Sequence, residues 1–323
     1  MFLIQLIEFG YRYINVIKMV VKYIEQECKS ILHRIDSPRL PFHWGANPYR
    51  GCFHSCLYCY ARYTHSYLEL DPEHDFESTI FIKRNAPQIL RKELSHPKWQ
   101  KEIVNLGSVC DPYQPIERNE FITRNMLKEF RRYHNPIIIA TKSDLVTRDK
   151  DIIAEMSRDT NVEVAISIST LNDDLRKEFE PRASSTKKRL QAIAELREKD
   201  ITVGVLLMPV FPYLSDSFEE LDELFKVISE ANASYVIPGI LYLTGATKKR
   251  FLEFMEIKHP DWNEIHQEYY KNRSPPKDYR EKINGYFNEL RRKYRLPNVE
   301  TKKSAKIIDQ QQTLDFWVSE EKE

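Results

Sequence analysis

Asn47-Pro-Tyr-Arg-Gly-Cys-Phe-His-Ser-Cys-Leu-Tyr-Cys-Tyr-Ala-Arg62 carries three of the chain's five cysteines on one short stretch. Cys52, Cys56 and Cys59 are separated by three residues and then two. Thiolates so spaced can ligate three irons of a cubane cluster and leave the fourth iron without a protein ligand. A closed zinc site is the alternative, and it needs a fourth ligand. His54 lies inside the stretch, whereas Cys28 and Cys110 stand far off without paired spacing. A disulfide framework fits poorly, because five is an odd number, no cleavable signal is evident and the rest of the chain reads as cytoplasmic.

At 323 residues the chain is long enough for one large α/β domain with additions. A formal net charge of +1 gives no global basic field for nucleic acid, although local patches remain. The first stretch, Met1 to Ile24, is apolar but carries Glu8, Arg12, Lys18 and Lys22, so its uncharged runs are too short to cross a bilayer. It reads as an amphipathic helix, no membrane partner is expected, and either Met1 or Met19 serves as the start.

Outward from the cysteines, short apolar runs alternate with amphipathic stretches. Ile103 to Cys110, Pro136 to Thr141, Val162 to Ser169, Thr202 to Pro209 and Tyr235 to Leu243 read as strands covered on both faces. Helical patterns lie between them, at about Ala86 to Leu94, Glu120 to Tyr133, Asp149 to Ser157, Thr186 to Lys199 and Ser217 to Glu230. With a strand expected just before Cys52, the order makes six βα units: an α/β fold, a partial (β/α)6 TIM-like barrel with helical additions at both ends. The expected division is a helical extension over 1–40, the barrel over 41–245, a helical region over 246–298 and a flexible tail over 299–323. Catalysis in such barrels sits at the carboxyl ends of the strands, where Cys52 to Cys59 would fall.

A three-cysteine loop after the first strand of such a barrel resembles the radical S-adenosylmethionine (SAM) superfamily. Five motifs, in this order, resemble its spore photoproduct lyase-like group, also labelled DNA repair photolyases. They are Asn47-Pro-Tyr-Arg-Gly-Cys, Cys56-Leu-Tyr-Cys-Tyr-Ala-Arg62, Asp111-Pro-Tyr-Gln-Pro-Ile-Glu117, Thr141-Lys-Ser143 and Glu180-Pro-Arg-Ala183. The resemblance implies that Cys52, Cys56 and Cys59 hold a [4Fe-4S] cluster whose open iron takes SAM. Reductive cleavage would then release a 5'-deoxyadenosyl radical, with an electron donor as partner.

By the same resemblance, Lys142 matches a lysine that meets the methionyl carboxylate, Ser167 a serine near that ligand, and Arg182 is a further candidate at the cofactor. Tyr58 and Tyr60 match tyrosines lying between the deoxyadenosyl group and a hydrogen-donating cysteine. Cys110 is the candidate donor, although the family's cysteine aligns nearer Ser108. The two positions differ by two residues and on a strand would face the same side. Asp111 and Gln114 are expected to shape the pocket.

Lys258 to Leu296 interleaves basic and aromatic residues, a pattern that suits either phosphates and stacked bases or helices covering a barrel. In the tail, Gln311, Leu314 and Trp317 resemble the peptide that docks on a PCNA-type sliding clamp. The expected function is a radical SAM enzyme acting on damaged DNA. Modification of RNA, a peptide or a small metabolite is the alternative, and a non-catalytic metal-stabilised binding protein is the second.

Overall fold

The computed structural model describes residues 21–37 and 40–297. The helix expected over Met1 to Ile24 therefore lies mostly outside the described residues, as does the tail with Gln311, Leu314 and Trp317. Where that first stretch is described, it is extended rather than helical: β1 (Lys22–Glu25) and β2 (Leu32–Arg34) precede β3 (Trp44–Ala46) and the short β4 (Tyr49–Arg50). The cysteine loop follows, then a 3-10 stretch over Tyr60–Leu68, α1 (Asp75–Ser78), β5 (Thr79–Ile82) and α2 (Ala86–Leu94). Strands and helices then alternate through β6 (Val104–Leu106), α3 (Glu117–Glu120), α4 (Ile122–Arg132), β7 (Ile137–Thr141), α5 (Lys150–Asp159) and β8 (Val162–Ser167). They continue with α6 (Asp173–Phe179), α7 (Thr186–Arg197), β9 (Thr202–Val210), α8 (Phe218–Glu230) and β10 (Tyr235–Ile240). The described chain ends in α9 (Gly245–Lys258), α10 (Pro260–Tyr269) and α11 (Lys277–Tyr294).

The main sheet has the order β10-β9-β8-β7-β6-β3-β2. From β3 to β10 every pairing within it is parallel, and only β2 runs antiparallel, on the edge beside β3. Six parallel strands in chain order, interleaved with helices, make the partial (β/α)6 barrel. A side sheet was not anticipated: β5 pairs in parallel with β1 and antiparallel with β4. It anchors the backbone just before the cysteines.

Two expected elements stop early for local reasons. The strand expected to reach Cys110 ends at Leu106, because Gly107 turns the chain at φ +101°, where a Cβ would lie 2.7 Å from the Ala140 carbonyl oxygen. Ser108 and Cys110 consequently sit in a turn and do not share a strand face. The helix expected from Glu120 is broken into α3 and α4 at Phe121, whose φ is +53°.

Two apolar clusters hold the barrel. The larger joins inward strand residues such as Val104, Ile139, Val164 and Val205 to the helices around them. The second sits at the mouth, where Leu57 of the cysteine loop packs with Phe179, Phe211, Phe251, Met255 and Tyr270. Phe179 stacks on Phe211 at 4.3 Å and on Phe251 at 5.6 Å, and its carbonyl accepts the Leu57 N–H at 2.9 Å. Barrel, loop and α9 meet on that ring. Phe179→Ala is expected to cost about 3–5 kcal/mol, read as a lower urea midpoint.

Candidate active site

Every turn of the cysteine loop is fastened by a different element. The Cys52 N–H donates to Phe76 O at 3.0 Å, and the Phe53 N–H to Gln114 Oε1 at 3.0 Å. The buried Arg62 guanidinium donates to Cys56 O at 3.0 Å while pairing with the Glu77 carboxylate. Glu77 in turn takes Arg250 of α9 at 2.7 Å, and Thr247 of α9 donates its hydroxyl to Cys59 O at 2.9 Å. The loop is thus tied to the barrel on one side and to a C-terminal helix on the other.

Burial pushes all three loop thiols up, Cys56 to about 12, so bare thiols stay protonated there. Thiolates need an adjacent positive centre, and metal binding supplies one while releasing the protons. Cluster ligands each bind a separate iron, whereas the ligands of one zinc ion converge on a point. Among the described residues no three His, Cys, Asp or Glu side chains converge on a single ion. His54, the fourth ligand that zinc would recruit, instead places Nδ1 3.2 Å from Asp111 Oδ2. The donor set fits a cubane with three protein ligands.

Two buried carboxylates organise the walls around the loop. Asp111 accepts the Thr141 hydroxyl at 2.7 Å and the Lys142 N–H at 2.7 Å, with His54 beside it. Burial alone would raise this carboxyl, but the neighbouring His54 and the donors outweigh it and hold it at about 2. Glu180 accepts the Tyr58 hydroxyl, the Ser169 hydroxyl at 3.2 Å and the fully buried Arg189 guanidinium. Arg189 also donates to Ser167 O and to Ser184 O, both at 2.8 Å, and Ser184 N–H reaches Lys142 O at 3.3 Å. One ion pair thereby spans Tyr58, Lys142 and Ser167. The pair was missed in the sequence, although Arg189 stands on the same stripe as Ala192, Ile193 and Leu196, where a charge signals a buried partner.

Lys142 sits with Nζ 5.7 Å from the centre of the Tyr58 ring. Burial would lower its ammonium, but Cys56 and Glu180 outweigh that and hold it above its ordinary value, as a cation. Ser167 closes β8 at the carboxyl end and is buried. Arg182 meets the loop itself, its guanidinium 4.8 Å from the Phe53 ring and its N–H 3.4 Å from His54 O. The two tyrosines beside Cys59 diverge: Tyr58 turns to Glu180, while Tyr60 donates its hydroxyl to Ser108 O on the opposite wall. Cys110 is buried, its thiol 3.6 Å from Asn47 Oδ1, and burial pushes it up to about 12, which keeps it a thiol.

Residues 46–228 match the radical SAM superfamily. The chain belongs to the radical SAM superfamily. Its cofactors are accordingly a [4Fe-4S] cluster and SAM. An uncharacterized protein of Mycobacterium tuberculosis is 35% identical over 85% of this chain and 82% of its own length. One from Methanocaldococcus jannaschii is 30% identical over 68% of this chain and 77% of its own. Spore photoproduct lyase complexed with dinucleoside spore photoproduct shares the fold, with a TM-score of 0.62 at 13% identity over 84% of this chain and 79% of the lyase. Another of its structures holds AdoMet (SAM) and the same dinucleoside, at the same score and coverage.

The Glu180 and Arg189 pair generates a prediction for this radical SAM site. Glu180→Ala leaves a buried guanidinium without its counter-charge and is expected to cost about 3–5 kcal/mol in chemical denaturation. The double variant Glu180→Leu, Arg189→Met is expected to cost less than the single one.

Proposed function

We propose that this radical SAM enzyme acts on damaged DNA, in the manner of spore photoproduct lyase. The observation that carries the reading is the shared fold over 84% of the chain with a lyase whose complexes hold AdoMet and a dinucleoside lesion. The five ordered motifs and the wall built by Tyr58, Lys142 and Glu180 support it. When bound, the cluster and SAM supply a 5'-deoxyadenosyl radical.

Each chain residue then has a definable task. Cys52, Cys56 and Cys59 hold the cluster from a loop strapped on both sides. Lys142, kept cationic by Glu180, meets the carboxylate of SAM, with Ser167 beside it and Arg182 closing the loop from outside through Phe53. Glu180 holds the Tyr58 phenol, and Phe211 packs edge-on against that ring at 5.5 Å, which excludes water from this wall. Tyr60 faces the wall that bears Ser108 and Cys110, so the Cys110 thiol serves as the hydrogen donor and Tyr60 as the group between. A low-potential one-electron donor is the required partner.

The C-terminal aromatics divide between two tasks. His266, Tyr270 and Tyr279 are buried and cover the barrel. Trp262 and Tyr213 remain exposed, at 39% and 37%, and stack on each other at 5.3 Å just beyond the carboxyl end of β9. Exposed rings at the mouth suit a base drawn out of its stack. The clamp-like peptide with Gln311, Leu314 and Trp317 would recruit the enzyme to DNA.

Anaerobic assays with reductant and SAM test the substrate directly. Ultraviolet-damaged DNA is expected to raise 5'-deoxyadenosine release severalfold over undamaged DNA and over RNA; equal release from all three would sink the DNA reading. Lys142→Ala is expected to weaken SAM binding about tenfold, or about 1.4 kcal/mol, with the iron content unchanged. A peptide spanning residues 306–323 is expected to bind a sliding clamp with a Kd of roughly tens of micromolar or tighter.

A further inference from the structure

His33 lies on the edge strand β2, opposite Gly45 of β3. A Cβ on Gly45 would fall 2.4 Å from His33 Nε2 and 2.8 Å from Ser108 Oγ. The missing side chain is therefore the passage by which the imidazole crosses β3 to the turn after β6. There His33 Nε2 is 3.2 Å from Ser108 Oγ. Asn47 Nδ2 donates to the same Ser108 Oγ at 2.9 Å, which leaves the serine hydrogen for His33. The other end of the Asn47 carboxamide faces the opposite way: Oδ1 accepts the Val109 N–H at 3.0 Å and faces the Cys110 thiol at 3.6 Å. The Asn47 main-chain oxygen is held in turn by the Lys83 ammonium at 3.0 Å.

The donors and acceptors fall into one order. The Cys110 thiol gives to Asn47, Asn47 gives to Ser108, and Ser108 gives to His33. The main-chain oxygen of the same Ser108 receives the Tyr60 hydroxyl. Burial holds His33 below its ordinary value, and an imidazole that must accept on Nε2 has to be neutral.

We propose that His33 is a positioning residue for the radical chemistry, reaching over Gly45 to orient Ser108 and, through Asn47, to aim the Cys110 S–H. The proposal rests on Cys110 being the hydrogen donor, and it adds the chain that points that hydrogen. When Cys110 donates, its S–H bond breaks and a C–H bond forms on the acceptor carbon. The sulfur then regains an electron from the one-electron reductant and a proton from solvent.

Infrared spectroscopy of the full-length protein without cofactors reads the chain with no need for turnover. The Cys110 S–H stretch is assigned as the band lost in Cys110→Ala. His33→Leu is expected to shift that band to higher wavenumber, as for a thiol whose acceptor has turned away, and Gly45→Ala to do the same with His33 intact. His33→Gln, whose amide oxygen can accept from Ser108, is expected to restore it. A band unmoved by His33→Leu, or not restored by His33→Gln, overturns the positioning role.

A second readout separates this role from the donor reading beneath it. In deuterated water, with SAM and dithionite but no substrate, 5'-deoxyadenosine is expected to carry solvent deuterium. That fraction is expected to fall severalfold in His33→Leu and to be lost in Cys110→Ala. Deuterium undiminished in Cys110→Ala removes the donor reading even if the infrared shifts are seen. Deuterium lost in Cys110→Ala but unchanged in His33→Leu keeps the donor and removes the positioning residue.

Discussion

A buried carboxylate and guanidinium, Glu180 and Arg189, carry the cofactor wall of this barrel. Neither has water to fall back on, so each is stabilised only by the other and by the groups gathered around them. Those groups include the residues the chemistry needs: the Tyr58 hydroxyl, the Ser167 carbonyl and, through Ser184, the backbone of Lys142. The geometry of the wall is therefore a by-product of solving a desolvation problem. Asp111 solves the same kind of problem on the neighbouring strand, with Thr141, the Lys142 amide and His54.

The loop with the three cysteines depends on these two carboxylates without touching either through its sulfurs. Its own fastening comes from main-chain groups, which leaves the thiols free for metal. The two tyrosines beside Cys59 then mark the two walls of the site: Tyr58 belongs to the Glu180 wall and Tyr60 to the Ser108 wall. Resemblance alone puts both rings in one path. The divergence of their hydroxyls assigns them different neighbours.

What could be read in advance follows from how local each signal is. The strands at Ile137–Thr141, Val162–Ser167 and Thr202–Val210 are short apolar runs between amphipathic helices, and a pattern of that kind survives folding intact. The cysteine spacing is equally local. By contrast, the end of β6 depends on Gly107 meeting the Ala140 carbonyl, and the break before α4 on Phe121 adopting a left-handed conformation. Neither shows in periodicity. The reach of His33 to Ser108 is more distant still, since it requires a residue on an edge strand, a missing side chain on the next strand and a turn after the third. Glu180 was quoted within a motif, but its role as a hub requires Arg189, nine residues on and on another helix.

The strap from Thr247 to the Cys59 carbonyl has a consequence for how the molecule is made. A ribosome releases residue 52 long before residue 247, and at roughly 5–20 residues per second the interval is about 10–40 s. During it the cysteine stretch is exposed to thiol chemistry, with Arg250 and Thr247 of α9 not yet synthesised. The metal centre of this protein is thus completed by nearly the last helices to emerge, and a nascent chain arrested before α9 carries all three ligands without the scaffold that spaces them.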